Sequence, residues 1–269
     1  MPYFNHDDID LYYQKLGDGP PLMMIAGLAS DSQSWLPVVE PLAERFTLIL
    51  PDNRGCGRSR PQSAAMGIPT MAADCAALLG HLGIERAHVL GHSMGGYIAQ
   101  QMALDFPDRC DRIVLAATSS YSSARNARLI PDWADYLESG MAPELWFRNV
   151  FYWIFSRQFF ADEKLVADSV QYSVEYPYPQ SLEAFRRQTS ALAGFDLRNR
   201  IVGIRSRTLA ICGREDILFP PEESIAAFEG IPHCDFSIID GAAHSIHMEQ
   251  PRAFIEKVVD FLEGQVWSK

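Results

Sequence analysis

Six short runs of consecutive apolar residues punctuate the chain: PPLMMIAG, FTLILPD, AHVLGHS, RIVLAAT, RTLAICG and CDFSIID. Within most of them polar and apolar positions do not alternate, which is what a strand covered on both faces requires, as in a parallel sheet. The amino-terminal stretch YFNHDDIDLYYQKLG differs. It alternates around Asp7-Asp8 and predicts two antiparallel strands joined there. Most of the gaps between runs carry helix-like segments: SWLPVVEPLAERF, TMAADCAALLGHLG, MGGYIAQQMALDF, PPEESIAAFEG and PRAFIEKVVDFLEG. Thr70 is the expected N-cap of the second. Pro251 opens the last and Gly264 closes it. The alternation predicts a doubly wound α/β domain: an eight-stranded, mostly parallel sheet with helices on both faces.

One region breaks this rhythm. About eighty residues separate RIVLAATSS from RTLAICG, and they read as helical. That is too long for a plain loop and predicts a helical cap inserted into the domain. The expected organisation is core over 1–120, cap over 121–204 and core again over 205–269. Ten of the chain's thirty aromatic residues lie between Trp133 and Phe160. They either line a pocket or glue the cap to the main domain. Trp133, Trp146, Phe147, Phe151 and Trp153 are the candidates for the pocket.

Charge and composition narrow the partners. The net charge is −11, so the positive clusters that nucleic acid or an anionic membrane would need are not expected. No apolar run reaches the roughly 20 residues of a membrane span, and MPYFNHDDIDLYYQ has neither a basic leader nor an apolar core. Cys56, Cys75, Cys110, Cys212 and Cys234 are odd in number and form no C-x-x-C pair. Free thiols are expected, with neither a disulfide framework nor a metal site. These features suit a cytoplasmic protein acting on a small molecule without a cofactor. Nothing in the sequence sets an oligomeric state.

The candidate chemistry starts at Gly91-His92-Ser93-Met94-Gly95. G-x-S-x-G by itself is a weak pattern, but here a strand precedes it and a helix follows. A serine on that sharp turn is exposed at the carboxyl edge of the sheet, beside the free N–H groups of a helix start. A serine hydroxyl needs a base to become a nucleophile. Of seven histidines, His244 stands out, in Asp240-Gly241-Ala242-Ala243-His244 just past the strand FSIID. His6, His81, His88 and His233 read as surface or element-end residues. His92 is expected to point away from Ser93, and His247 reads as a packing or supporting residue. The histidine in turn needs a carboxylate. Asp216 follows the strand RTLAI and has Glu215 as its rival; loop position favours Asp216. The backbone N–H groups of Leu28 and Met94 are the expected donors to an oxyanion.

On GLASDSQSW, DNRGCGRS, GHSMGG, GREDILFP and GAAHSIHMEQP, the sequence resembles the α/β-hydrolase superfamily, in its lid-bearing serine esterase, lactonase and perhydrolase branch. These pieces run from about residue 20 to about residue 260. The chain order Ser93, Asp216, His244 is the order of that superfamily. The resemblance adds weight to Asp216 over Glu215 and implies an enzyme needing no metal. Many members carry His-Gly where this chain has Ala26-Gly27, and that histidine braces the turn. Enol-lactonase and aminoacrylate-hydrolase-like relatives often lack it. The expected activity is hydrolysis of a carboxylic ester or lactone through an acyl-enzyme on Ser93. C–C bond hydrolysis and peracid formation reuse the same residues, and a ligand-binding or signalling protein on this scaffold is the third reading. An acidic substrate would need an arginine from the cap, drawn from Arg125, Arg128, Arg148, Arg157, Arg186 and Arg187; each of these also reads as a solvated residue.

Overall fold

The computed structural model describes residues 2–264; the outermost positions of the two expected core segments, 1 and 265–269, lie outside the described residues. Strands β1 (Tyr3–His6) and β2 (Ile9–Leu16) form the expected hairpin, followed by β3 (Pro21–Ile25), α1 (Leu36–Ala43), β4 (Thr47–Pro51), α2 (Ile68–His81), β5 (Ala87–His92), α3 (Met94–Asp105) and β6 (Cys110–Ala116). Four helices intervene before the next strand: α4 (Asn126–Glu138), α5 (Pro143–Ile154), α6 (Glu163–Val174) and α7 (Leu182–Ala193). The chain closes with β7 (Thr208–Gly213), α8 (Pro221–Phe228), β8 (Cys234–Ile239), a single turn α9 (Ile246–Glu249) and α10 (Pro251–Leu262). The eight strands make one sheet in the order β1-β2-β4-β3-β5-β6-β7-β8. The β1–β2 and β2–β4 pairs are antiparallel and the others parallel. This is the α/β fold expected from the sequence.

The apolar runs are strands because both of their faces are covered. Met23, Ile49, Val89 and Ile113 lie in register across four strands and face α2 and α3. Their neighbours Leu22, Leu48, Leu90 and Val114 face α1 and α10 on the other side. A one-residue slip would exchange the two sets and lose both packings. β1 and β8 stand at the sheet's edges and are partly exposed.

Two helix ends test the sequence reading. Gly264 takes φ +88° just past α10, the left-handed conformation that lets glycine end a helix. Thr70 is not the N-cap of α2. The helix begins three residues earlier than a cap at Thr70 would set it, with Gly67 as N-cap and Pro69 in the first turn. Proline's fixed φ suits that position, and burying Ile68 favours the longer helix.

Parallel pairing puts the carboxyl ends of β3, β5, β6, β7 and β8 on one edge of the sheet. The inserted helices leave and rejoin the sheet through paired segments. Ser122 N–H donates to Phe195 O (2.9 Å) and Leu197 N–H to Ser120 O (2.8 Å). Asp162 and Ser181 cap α6 and α7 by accepting from Leu165 N–H and Ala184 N–H.

Candidate active site

Ser93 sits between β5 and α3 with φ +54° and ψ −118°, a strained backbone for a residue with a side chain. Three hydrogen bonds hold it there. Its N–H donates to Ala116 O (2.9 Å), and its carbonyl accepts from Gly96 N–H (2.9 Å) and Thr118 Oγ1 (2.8 Å). The flanking glycines are required by space. A Cβ on Gly91 would lie 2.1 Å from Gly95 O, and one on Gly95 would lie 2.0 Å from Ile25 O.

The β7 loop places a carboxylate opposite a histidine. Asp216 is buried; its Oδ1 accepts from Leu218 N–H (2.8 Å) and Phe219 N–H (2.9 Å). Its Oδ2 lies 3.0 Å from His244 Nδ1. The backbone beside the histidine passes so close to β7 that a Cβ on Gly213 would meet Ala243 O at 2.0 Å. Glu215 points elsewhere. It accepts from Arg157 Nε (3.0 Å) at the surface, and that guanidinium lowers its carboxyl pKa.

His244 is buried and stacks on Phe219, ring centroids 5.5 Å apart. Neither Ser93 Oγ nor His244 Nε2 makes a hydrogen bond among the described residues. Such contacts often form fully only when substrate is bound. His92 corrects the sequence reading, since its ring turns under the site rather than away from it. Its Nε2–H donates to His244 O (2.9 Å), which fixes the backbone of the histidine. His247 packs against Trp35 and His92, each at 4.7 Å between centroids. Burial lowers the pKa of both supporting rings, that of His247 to about 3, and the proximity of His244 adds to the effect. Both stay neutral near pH 7, so neither would set a like charge beside a protonated His244.

The N–H groups of Leu28 and Met94 have no hydrogen-bond partner among the described residues. Met94 opens α3, and Leu28 follows the end of β3. Ser93, His244 and Leu28 line a cavity of about 500 Å³, within the usual range for small-molecule sites. A second chamber of about 450 Å³ shares Ala29, Ser34, Trp146, Phe147 and Tyr172 with the first.

A family model described as the alpha/beta hydrolase fold matches residues 20–251. The chain belongs to this family. A curated relative from Azorhizobium caulinodans, named "Putative carbamate hydrolase RutD", is 31% identical over 261 residues, spanning 97% of this chain and 98% of the relative. Among solved structures, an esterase from Thermogutta terrifontis is 26% identical with a TM-score of 0.84, over 95% of this chain and 93% of that one. The enol-lactonase of Burkholderia xenovorans LB400 has a TM-score of 0.88 at 24% identity, over 98% of this chain and 100% of that one, a likeness of fold.

In this alpha/beta hydrolase, four of the five aromatic candidates line the cavity: Trp133, Trp146, Phe147 and Phe151. Trp153 does not line it and packs against the main hydrophobic cluster. The lining positions of α5 (Trp146, Phe147, Val150, Phe151, Ile154) follow helical spacing, and Trp153 lies beyond their margin. Phe155, Tyr172, Phe185 and Phe219 also line the cavity and were not singled out from sequence. Phe185 and Leu192 sit seven apart on α7, a spacing that was open to reading; exposed Tyr172 carried no signal. Arg157 and Arg186 form surface ion pairs, and among the described residues no lysine or arginine lines the cavity. All five cysteines are free. Among the described residues, no cluster of three His, Cys, Asp or Glu is arranged to hold a metal, and no helix is long and apolar enough to cross a membrane.

Proposed function

We propose that this hydrolase cleaves a carboxylic ester or lactone of a small, apolar or aromatic substrate through an acyl-enzyme on Ser93. One observation carries the reading: a serine held at positive φ and a histidine bonded to a buried carboxylate line the same apolar cavity. Ser93 Oγ attacks the carbonyl carbon while His244 Nε2 takes the hydroxyl proton. His244 Nδ1–H donates to Asp216, which holds the tautomer and stabilises the imidazolium. The developing oxyanion accepts from Leu28 N–H and Met94 N–H; one such donor is worth about 3–4 kcal/mol in the transition state. His244 returns its proton to the leaving alcohol. A water, deprotonated by His244, then attacks the acyl carbon and releases the acid and free Ser93.

The lining speaks for the substrate class. Aromatic and aliphatic side chains dominate it, and among the described residues no lysine or arginine waits there for an anionic group. The inserted helices act as a cap that shapes the acyl site, and the adjoining chamber offers room for the other half of the substrate.

A second reading is hydrolysis of a carbamate, favoured by the name of the curated relatives. The steps are the same with a carbamoyl-enzyme in place of the acyl-enzyme. Conjugation of the nitrogen with the carbonyl makes attack and release slower.

A fluorophosphonate probe tests the nucleophile: it is expected to label wild-type protein at one serine and to leave Ser93→Ala unlabelled. No labelling of the wild type would sink the proposal. Matched p-nitrophenyl esters and N-alkylcarbamates then separate the two readings by kcat/KM. Faster turnover of the carbamates would replace the first with the second.

A further inference from the structure

We propose that Gln188, a residue of the inserted helix α7, is a positioning residue that holds the oxyanion turn in its working shape. The inference rests on the serine-hydrolase reading above. Gln188 is completely buried. It stands on the buried stripe of α7 with Phe185, Thr189 and Leu192, where an apolar side chain is the ordinary occupant. Its amide is used at both ends, and every partner belongs to the sheet domain. Oε1 accepts from Ala29 N–H (3.2 Å), and Nε2 donates to Arg54 O (3.0 Å) and to Cys56 Sγ (3.0 Å). This network fixes the amide's orientation, because the carbonyl oxygen of Arg54 can only accept.

The turn needs holding. Ala29 has φ +54°, a left-handed conformation that L-residues leave readily. Leaving it requires the peptide plane between Leu28 and Ala29 to rotate. That plane is pinned from two sides: its carbonyl accepts from Ser30 Oγ (3.3 Å), and its N–H is the one bonded to Gln188. The same turn is anchored one residue before Gly27, where Ala26 O accepts from Asn53 Nδ2 (3.0 Å). Leu28 carries the proposed oxyanion donor on the adjoining peptide. Loss of the brace lets Ala29 relax to negative φ and swings Leu28 N–H from its aim. Gln188 thereby ties the placement of the inserted helices to the electrostatics of the reaction, although it lies outside the residues that line the first cavity.

Gln188→Met keeps length and volume and removes both hydrogen-bonding functions. With a p-nitrophenyl ester that the wild type turns over, kcat is expected to fall about 10–100-fold while KM stays within about twofold. A boronic acid that mimics the tetrahedral intermediate is expected to bind more weakly by the same factor. Adding Ala29→Gly, which accepts positive φ without strain, is expected to return kcat to within about fivefold of wild type. A folded Gln188→Met with unchanged kcat overturns the proposal. So does a KM that rises in step with the loss, an unchanged boronate affinity, or a double variant that recovers nothing. If Gln188→Met does not fold, Gln188→Glu replaces it. That variant keeps the acceptor for Ala29 N–H, so the brace requires kcat within about fivefold of wild type; a larger loss overturns the proposal. Fluorophosphonate labelling of the wild type keeps the two claims apart, since an unlabelled Ser93 removes the underlying reading, whereas a labelled Ser93 leaves the kinetics to judge Gln188.

Discussion

The elbow and the inserted helices meet at one cavity, yet they are held by different means. Helix α3, behind Ser93, buries ten of its twelve residues, and its first turn touches β3 backbone to backbone. Helix α6, on the far side of the cavity, buries Val170 among its twelve. The elbow is fixed by close backbone approach at its glycines, whereas the insertion, beside its apolar packing on the core and the backbone bonds at its two ends, is fixed by particular side chains reaching across. Tyr176 donates its hydroxyl proton to Asp31, Gln188 binds Ala29, and Asn126 Nδ2 donates to Leu218 O (2.8 Å). Close backbone approach tolerates almost no change, because displacing one strand end displaces the whole edge. Side-chain tethers tolerate exchange one at a time. The proposed reacting atoms belong to the first kind of construction, and the shape of the space around them to the second. That division lets a reaction stay constant while the substrate it accepts varies.

The comparison is broken most severely at the rigid side. Asp216→Asn keeps the size of the side chain and removes the charge that, in the proposed mechanism, holds His244 in its working tautomer. A loss in kcat of about 10⁴-fold is expected, with little change in KM. A variant retaining a tenth of the activity would move the carboxylate role elsewhere.

Gly95→Ala tests the backbone contact itself. Its added Cβ would stand 2.0 Å from Ile25 O and 2.9 Å from Ala26 O, neither of which is a flexible side-chain end. A destabilisation of about 3 kcal/mol is expected in urea unfolding, and activity should fall as well, because the same displacement moves the oxyanion turn. Unfolding at the wild-type midpoint would show that the contact is looser than the geometry says.

What the sequence made legible follows the same division. Backbone constraints leave residue signatures: glycines where two chains touch, a serine between them, and an aspartate and a histidine in loops that end parallel strands. Those could be read one segment at a time, and the structure brings Asp216 and His244 within 3.0 Å of each other. Tethers leave weaker marks. Gln188 is a polar residue at a buried helical position, a sign carried only by the spacing of α7. His92 was expected to point away from Ser93, whereas its ring follows the hydrogen bond to His244 O. Trp153 shares composition with its lining neighbours and differs by its angle around α5, which matters once the cavity's direction is known. Thr70 had the chemistry of a cap, but burial of Ile68 set the helix start instead.

On the tethered side the effects should be smaller and different in kind. Phe147 is partly buried and lines both chambers. Phe147→Ala enlarges the proposed acyl site without touching Ser93 or His244. Turnover of a p-nitrophenyl acetate is expected to change less than about fivefold, while the preference between short and long acyl chains shifts about tenfold towards the longer. An equal loss on every chain length would mean that Phe147 supports the catalytic groups and not the pocket.

The smallest effect is expected at Glu215, and it sharpens the comparison by its contrast with the next residue. Glu215 and Asp216 are adjacent and chemically alike, but one faces Arg157 at the surface and the other faces His244 in the interior. Arg157 is 93% exposed, so their ion pair is screened and worth about 0–1 kcal/mol. Arg157 also reaches Glu215 from the segment after α5, which makes this pair another tether between insertion and sheet. Glu215→Gln should leave kcat and KM within about twofold and the unfolding midpoint nearly unchanged. A large loss of kcat there, matched by mild behaviour of Asp216→Asn, would exchange the roles of the two carboxylates. The division between backbone-built chemistry and tethered pocket would then fail at its most exposed joint, because a surface tether would be carrying the reaction.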